Sequence, residues 1–185
     1  MLHDYANGID DSPVLEEAED AKGFSISTTL EEDVVTAQHA KRIILALTDS
    51  VAARMRADSA KSYCVGITIR SNDFKNRSHQ RKLYEPTDIT SEIYNISCEL
   101  FDELWDKHTP LRLIGVSLMD IVRDEYVQET LFKDEKKEKE RKVDKAIDAI
   151  RSKFGTDMIV RGTNYQSELN VGKKYKAQME NKKEK

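Results

Sequence analysis

Few side chains in this sequence have the types and spacing that catalysis requires. The four histidines are scattered and show no metal-ligand spacing: His3, His39, His79 and His108. The sequence contains no C-x-x-C, H-E-x-x-H or G-x-S-x-G motif and no phosphate-binding glycine loop. The carboxylates of Asp10–Asp11 and Glu31–Asp33 could hold Mg²⁺, but a turn and an acidic helix start explain them better. The residues therefore predict a non-catalytic chain with no cofactor or metal site of its own.

A basic segment between Thr68 and Tyr84 has the charge to bind a polyanion. It contains one acid, Asp73, against five bases and one histidine: Arg70, Lys75, Arg77, His79, Arg81 and Lys82. A cluster of this kind is the electrostatic footprint expected of a surface that contacts nucleic-acid phosphates. The acidic residues elsewhere, which bring the net charge to −4, conceal this cluster in the whole-chain composition.

The pentapeptide of residues 128–132, QETLF, combines a polar residue with a large adjacent apolar pair. It precedes a run of charged residues at 133–141, where an apolar pair has little reason to stand unless something covers it. Two interpretations remain open on spacing alone. Leu131 and Phe132 either pack into their own domain at a turn, or a partner covers them.

The composition predicts one well-packed domain with appendages in a chain of 185 residues. Hydrophobic residues make up 38% and charged residues 35%, and no apolar run is long enough for a transmembrane helix. The N-terminus lacks the features of a signal peptide, and Cys64 and Cys98 are isolated, so we expect reduced cysteines and a cytoplasmic location.

The periodicity of the apolar residues predicts the order β-α-β-β-α-β. Strands are expected at 24–30, 63–70, 74–84 and 111–122. A helix is expected at 34–57 with Asp33 as its N-cap, and a second begins near Ile89. This order favours an α+β fold with a four-stranded antiparallel sheet and both helices on one face. A further short helix is expected on the spacing of Val143, Ile147, Ile150 and Phe154, ended by Gly155.

Side-chain alternation along the strands predicts a face of the sheet that the helices leave open. If the helices cover the apolar positions of the 63–70 strand, the other positions of that strand, including Thr68 and Arg70, face outwards. The alternating residues of the next strand are expected to join them there: Lys75, Arg77, His79 and Arg81. Such a face suits contact with a nucleic-acid backbone, although an ordinary solvated sheet face would have the same pattern.

Several segments, taken in their order along the chain, resemble the C-terminal, little-finger region of Y-family translesion DNA polymerases of the UmuC/ImpB/MucB/SamB group. YANGIDDSPV at 5–14 resembles the end of that family's thumb, and KGFSISTTL at 22–30 resembles the first little-finger strand, with Gly23 in place of the usual serine. VGITIRSNDF at 65–74 and LIGVSL at 113–118 match the second and last strands, and AIDAIRSKFG at 146–155 resembles the closing helix.

The resemblance implies a division of the chain into five segments. The end of the thumb and an acidic linker occupy residues 1–21, and the DNA-binding little finger occupies 22–123. The clamp-binding peptide follows at 124–133, then the C-terminal helix region at 134–162 and a basic, disordered tail at 163–185. Mg²⁺ is expected only in the parent polymerase, whose palm and fingers lie outside this sequence. Met1 is therefore expected to be the edge of an expressed fragment or of a truncated reading frame.

The resemblance also implies two partners, primer-template DNA and the bacterial sliding clamp. In the family's Q-x-x-L-F peptide the glutamine amide forms hydrogen bonds while the leucine and phenylalanine fill an apolar pocket, which assigns those roles to Gln128, Leu131 and Phe132. The chain is expected to be a monomer that works away from membranes in DNA repair and the SOS response. A second class of function stays open, namely a free-standing regulatory domain that binds DNA or the clamp without synthesis.

Overall fold

The computed structural model describes residues 2–10, 21–123, 134–156 and 158–162. A short helix α1, Leu2–Ala6, precedes the domain. The domain then follows the order β1 (Phe24–Val34), α2 (Ala37–Ala57), β2 (Ala60–Ser71), β3 (Asn76–Thr87), α3 (Thr90–Leu104) and β4 (Leu111–Arg123). A C-terminal helix, α4 (Glu135–Phe154), completes the described elements.

The four strands form one antiparallel sheet in the order β1-β4-β2-β3, which confirms the predicted fold class. The nearly continuous apolar run of β4 is explained by its position between β1 and β2. The core lies between one face of the sheet and the helices α2 and α3. Its largest fully buried side chains include Phe101, Ile67, Leu118 and Leu47. Phe101 stacks on Trp105 with 5.3 Å between the ring centroids.

The start of α2 differs from the sequence-based prediction. Asp33 is not the N-cap, because β1 continues to Val34, where it pairs again with Leu111 after an irregularity. The cap is Thr36, whose hydroxyl accepts a hydrogen bond from the His39 amide at 3.3 Å. Asp33, which the sequence predicted to cap α2, therefore lies near the end of strand β1.

The helix α4 is longer than predicted, because most of the charged run belongs to it. Asp134 caps its start by accepting hydrogen bonds from the amides of Lys136 and Lys137. Glu135 and Glu138 lie in its first turn, where the helix dipole favours negative charge. The helix ends at Gly155, at φ 100°, as predicted for a glycine C-cap.

Candidate nucleic-acid interface

The two faces of the sheet differ sharply in chemistry. Val65, Ile67 and Ile69 point to the helix side and are buried. The alternate positions form the opposite face, which no described element covers and which is called the open face here. The pairing aligns these positions in three rows across all four strands. The rows are Ser25–Ser117–Gly66–Gln80, Ser27–Gly115–Thr68–Ser78 and Thr29–Leu113–Arg70–Asn76. The open face is therefore lined mainly by hydroxyl, amide and small side chains.

Two glycines, Gly66 and Gly115, leave the middle of the open face without projecting side chains. A Cβ atom added at Gly66 would lie 2.6 Å from the Ser117 Oγ, and one added at Gly115 would lie 2.9 Å from the Ser27 Cβ. Neither position has room for a larger side chain unless its neighbours shift. The small residues at these sites let a ligand approach the strands closely.

Arg70 and Lys82 supply positive charge to the open face. The Arg70 Nε donates a hydrogen bond of 2.6 Å to the Asn76 side-chain oxygen. In the described part of the chain, no carboxylate lies within ion-pair distance of Arg70. Lys82 follows the same alternation along β3 and is 76% exposed, with its Nζ 3.4 Å from Asp120. Both cations can reach a polyanion that lies across the sheet.

The pairing register overturns the prediction that the alternating bases Lys75 to Arg81 share the open face with Arg70. Three bases of β3 lie opposite core residues of β2 and project from the helix side: Arg77 opposite Ile69, His79 opposite Ile67 and Arg81 opposite Val65. Lys75 precedes β3 in the hairpin loop, with its Nζ 2.8 Å from Asp73. The alternation predicted which residues share a side, but the face depends on the register, since a shift of one residue exchanges the two sides.

The bases on the helix side are paired with carboxylates of α3 and its following loop. Arg81 binds Glu99 and also Glu103, the latter at 2.7 Å, and His79 lies 3.2 Å from Glu103. Hydrogen bonding to Glu99 raises the pKa of Arg81. A phosphate group that approached this side would have to compete with these carboxylates.

Asp106 provides the carboxylate nearest to Arg77, at 3.7 Å. Hydrogen bonds from the backbone amides of Thr109 and His108 lower the pKa of Asp106 to about 2. The carboxylate is therefore ionised at neutral pH and offsets the charge of Arg77. Within the described residues, the open-face bases Arg70 and Lys82 thus have one acidic neighbour, Asp120, while the helix-side bases have three: Glu99, Glu103 and Asp106.

A cluster of charged residues that sequence reasoning missed joins α4 to the domain. Five side chains recur on α4 at spacings of four and three, and each forms an ion pair: Lys137, Arg141, Asp144, Asp148 and Arg151. Their partners lie in α2, β3, α3 and the segment before α3. The signal was present in the sequence as a charged helical repeat, which an apolar pattern search ignores.

Arg56 lies at the centre of this cluster, with a side chain only 6% exposed. Its guanidinium donates two hydrogen bonds to Asp148, of 2.6 and 3.1 Å, and one of 2.7 Å to the Asp88 carbonyl. Burial alone would lower the pKa of Arg56, but the hydrogen bond and charge of Asp148 outweigh it and the pKa is raised. Asp144, which lies 3.5 Å from Arg56, also accepts a hydrogen bond of 2.8 Å from the Thr90 amide at the start of α3.

The apolar stripe that predicted α4 faces away from the domain. Three of its four residues are exposed, with Val143 at 57%, Ile150 at 37% and Phe154 at 59%, and Ile147 is half-buried, while the buried residue of the helix is Asp144. The helix therefore docks through charges and hydrogen bonds, the reverse of the usual amphipathic arrangement.

The predicted clamp-binding residues Gln128, Leu131 and Phe132 lie outside the described residues. In residues 2–10, 21–123, 134–156 and 158–162, no group of His, Cys, Asp or Glu side chains could hold a metal ion. Among the helices that the structure describes, none has the length and apolar character needed to cross a membrane.

The sheet and the two helices on one of its faces have a fold that is also found in solved Y-family DNA polymerases. A solved Y-family DNA polymerase chimera superposes with a TM-score of 0.53 at 18% identity, covering 66% of this chain and 35% of that one. The insertion ternary complex of Dbh DNA polymerase superposes with a TM-score of 0.51 at 17% identity, again covering 66% of this chain and 35% of that one.

Sequence comparison agrees with the fold. Residues 21–131 match the impB/mucB/samB family C-terminal domain, and the chain belongs to that family. DNA polymerase IV of Clostridium acetobutylicum is 32% identical over 170 residues, which cover 91% of this chain and 42% of that protein. DNA polymerase IV of Clostridium kluyveri is 35% identical over 171 residues, covering 88% and 42%. The chain thus spans about two fifths of the length of these curated relatives.

Proposed function

We propose that this chain is the DNA-binding and clamp-binding C-terminal part of a lesion-bypass DNA polymerase. The observation that carries the proposal is the open sheet face, with hydroxyl-rich rows and the cations Arg70 and Lys82, in a member of the impB/mucB/samB C-terminal domain family. The whole polymerase would extend primers past damaged template during DNA repair and the SOS response, which would place it with the chromosome in the bacterial cytoplasm.

In the proposed DNA complex the open face lies against the duplex backbone. Arg70 and Lys82 contact phosphates, and the hydroxyls of Thr68 and its row neighbours donate hydrogen bonds to phosphate oxygens. Lys75 in the hairpin loop and the helix-side bases Arg77, His79 and Arg81 make secondary contacts at the edge of this surface. These contacts hold DNA in position without reading its sequence, as a polymerase that moves along a template requires.

Replacing Arg70 and Lys82 together by alanine should weaken duplex binding and its dependence on salt. Each phosphate neutralised contributes about 0.9 to the slope of log affinity against log salt concentration, so the double variant should lower the slope by about 2. The measurement is the dissociation constant for a fluorescent primer-template duplex across a salt series.

The matched control replaces Arg77 and Arg81 by alanine. Three carboxylates of α3 and its loop offset Arg77 and Arg81, whereas among the described residues the open-face pair has one carboxylate neighbour, Asp120, 3.4 Å from Lys82. The slope should therefore fall by less than for the open-face pair. An unchanged slope in the Arg70→Ala, Lys82→Ala variant would contradict the assignment of DNA binding to the open face. A larger fall in slope for the control would show that DNA binds the helix side instead.

We propose that Gln128, Leu131 and Phe132 bind the sliding clamp, with the glutamine at the rim of its pocket and the two apolar side chains inside. Full burial of a leucine or phenylalanine stabilises by about 1.5–3 kcal/mol each, part of which is offset by ordering a short peptide. A Leu131→Ala, Phe132→Ala variant should therefore lose at least about tenfold in clamp affinity, measured by surface plasmon resonance on immobilised clamp.

Two controls separate the clamp role from a structural one. The double variant should retain its thermal midpoint and its duplex affinity, because the peptide contributes to neither. Unfolding of the variant would assign both side chains to the core of the domain. A folded variant that binds the clamp as tightly as the parent chain would show that Leu131 and Phe132 do not bind the clamp.

A further inference from the structure

The tip of the β2–β3 hairpin holds an aromatic residue in an unfavourable backbone conformation. Phe74 has φ 63°, in the left-handed region, and its side chain is exposed, with 68% of the residue accessible. Glycine or asparagine adopts this conformation more readily, and a bulky residue there is an outlier. Strained residues of this kind concentrate at functional sites, because selection retains them for what the side chain does.

The structure fixes the backbone that carries this ring. The Phe74 amide donates to the Ser71 carbonyl at 3.0 Å, and the Ser71 amide donates to the Lys75 carbonyl at 3.1 Å. The Asn72 amide donates to the Pro110 carbonyl at 3.0 Å, which ties the tip to the loop before β4. An exposed ring on a hairpin tip anchored at both sides is presented to a ligand with little ordering cost.

Cations outnumber acids near the Phe74 ring, although the Arg112 Nη1 forms an ion pair with Asp33 at 3.5 Å. The Arg112 guanidinium carbon lies 5.9 Å from the ring centroid, within the range of a cation–π contact. Lys75 follows Phe74 directly and Arg70 lies on the same hairpin, on the open face. Asp73 is the acid nearest in sequence, and Lys75 already pairs with it at 2.8 Å. A ligand for this site therefore carries negative charge and a flat apolar face.

We propose that Phe74 is a stacking site for an unpaired base of single-stranded DNA whose phosphates lie against Arg112 and Arg70. Single-strand binding sites combine these two features, an aromatic ring for the base and cations for the backbone. The inference rests on the proposed function and deepens it: the open face holds duplex, while the hairpin tip engages the single strand that extends beyond it.

The test compares two strands that differ only in their bases. Fluorescence anisotropy would measure binding of the full chain to oligothymidylate of about 12 nucleotides and to an abasic strand of equal length, a length within known single-strand site sizes. Phe74→Asn should weaken binding to oligothymidylate by about 5- to 150-fold, since stacking contributes about 1–3 kcal/mol per base. Binding to the abasic strand should not change, and Phe74→Trp should retain the parent affinity for oligothymidylate.

Folding and duplex binding provide the controls. Phe74→Asn should keep or raise the thermal midpoint, because asparagine tolerates the left-handed conformation. Equal affinity of the parent chain for both strands would overturn the proposal, as would an equal loss on both strands in Phe74→Asn. The salt slope of the Arg70→Ala, Lys82→Ala variant on duplex reports the proposed function separately, so each idea can fail without the other.

Discussion

Replacing Arg56 by methionine should lower the free energy of unfolding by about 3–5 kcal/mol, the usual cost of removing one partner from a buried ion pair. The side chain is 6% exposed, and its loss leaves Asp144, at 8% exposure, without its nearest guanidinium. It also removes two hydrogen bonds to Asp148, which link α2 to α4. Urea unfolding at constant ionic strength, followed by circular dichroism, would measure the change.

The control for this substitution is Arg42→Met on the same helix. Arg42 is exposed, so its replacement should change the free energy of unfolding by no more than about 0.5 kcal/mol. A second variant, Arg56→Met with Asp144→Asn and Asp148→Leu, removes the charges on both sides of the pair and keeps an acceptor for the Thr90 amide, so it should recover part of the lost stability. A loss below about 1 kcal/mol in Arg56→Met would show that the charged cluster does not hold α4 on the domain.

Replacing Phe101 by alanine should lower the free energy of unfolding by about 3–5 kcal/mol, because the side chain is fully buried and its removal leaves a cavity. The loss includes the stacking of Phe101 on Trp105, whose indole N–H donates to the Thr109 carbonyl at 2.8 Å. Chemical denaturation would give the change in midpoint, and retained duplex binding at low denaturant would show that the open face is intact.

Phe154→Ala is the matched control for the orientation of α4. Phe154 is 59% exposed, so its removal should change the free energy of unfolding by no more than about 0.5 kcal/mol. If the apolar stripe of α4 were packed on the domain, as such a stripe usually is, this substitution would cost several kcal/mol. Equal losses for Phe101→Ala and Phe154→Ala would therefore contradict the charged docking of α4.

The arrangement of α4 bears on how a clamp-binding peptide would work. Residues 124–133 connect the end of β4 to the start of α4. The ion pairs hold α4 on α2 and α3, so both ends of this segment belong to structured elements. In the proposed function, the same charged cluster therefore determines where the peptide is presented relative to the DNA-binding face.

The amino-acid sequence by itself determined the element order and the fold class. Alternating residues such as Val65, Ile67 and Ile69 can bury a common face only as a strand, and the repeat from Ala40 to Met55 can bury one face only as a helix. These are local consequences of backbone geometry, so they did not require the tertiary structure. The glycine that ends α4 was predictable for the same reason, because few residues adopt a positive φ.

The tertiary structure alone decided which side of the sheet each basic residue occupies. Alternation groups Arg77, His79 and Arg81 on one side of β3, but only the pairing of His79 with Ile67 places that side against the helices. The docking of α4 depended on long-range partners in the same way, because Arg56 and Asp148 are 92 positions apart in the chain. Register and ion pairing between distant segments are properties of the folded chain, and a periodicity within one segment does not contain them.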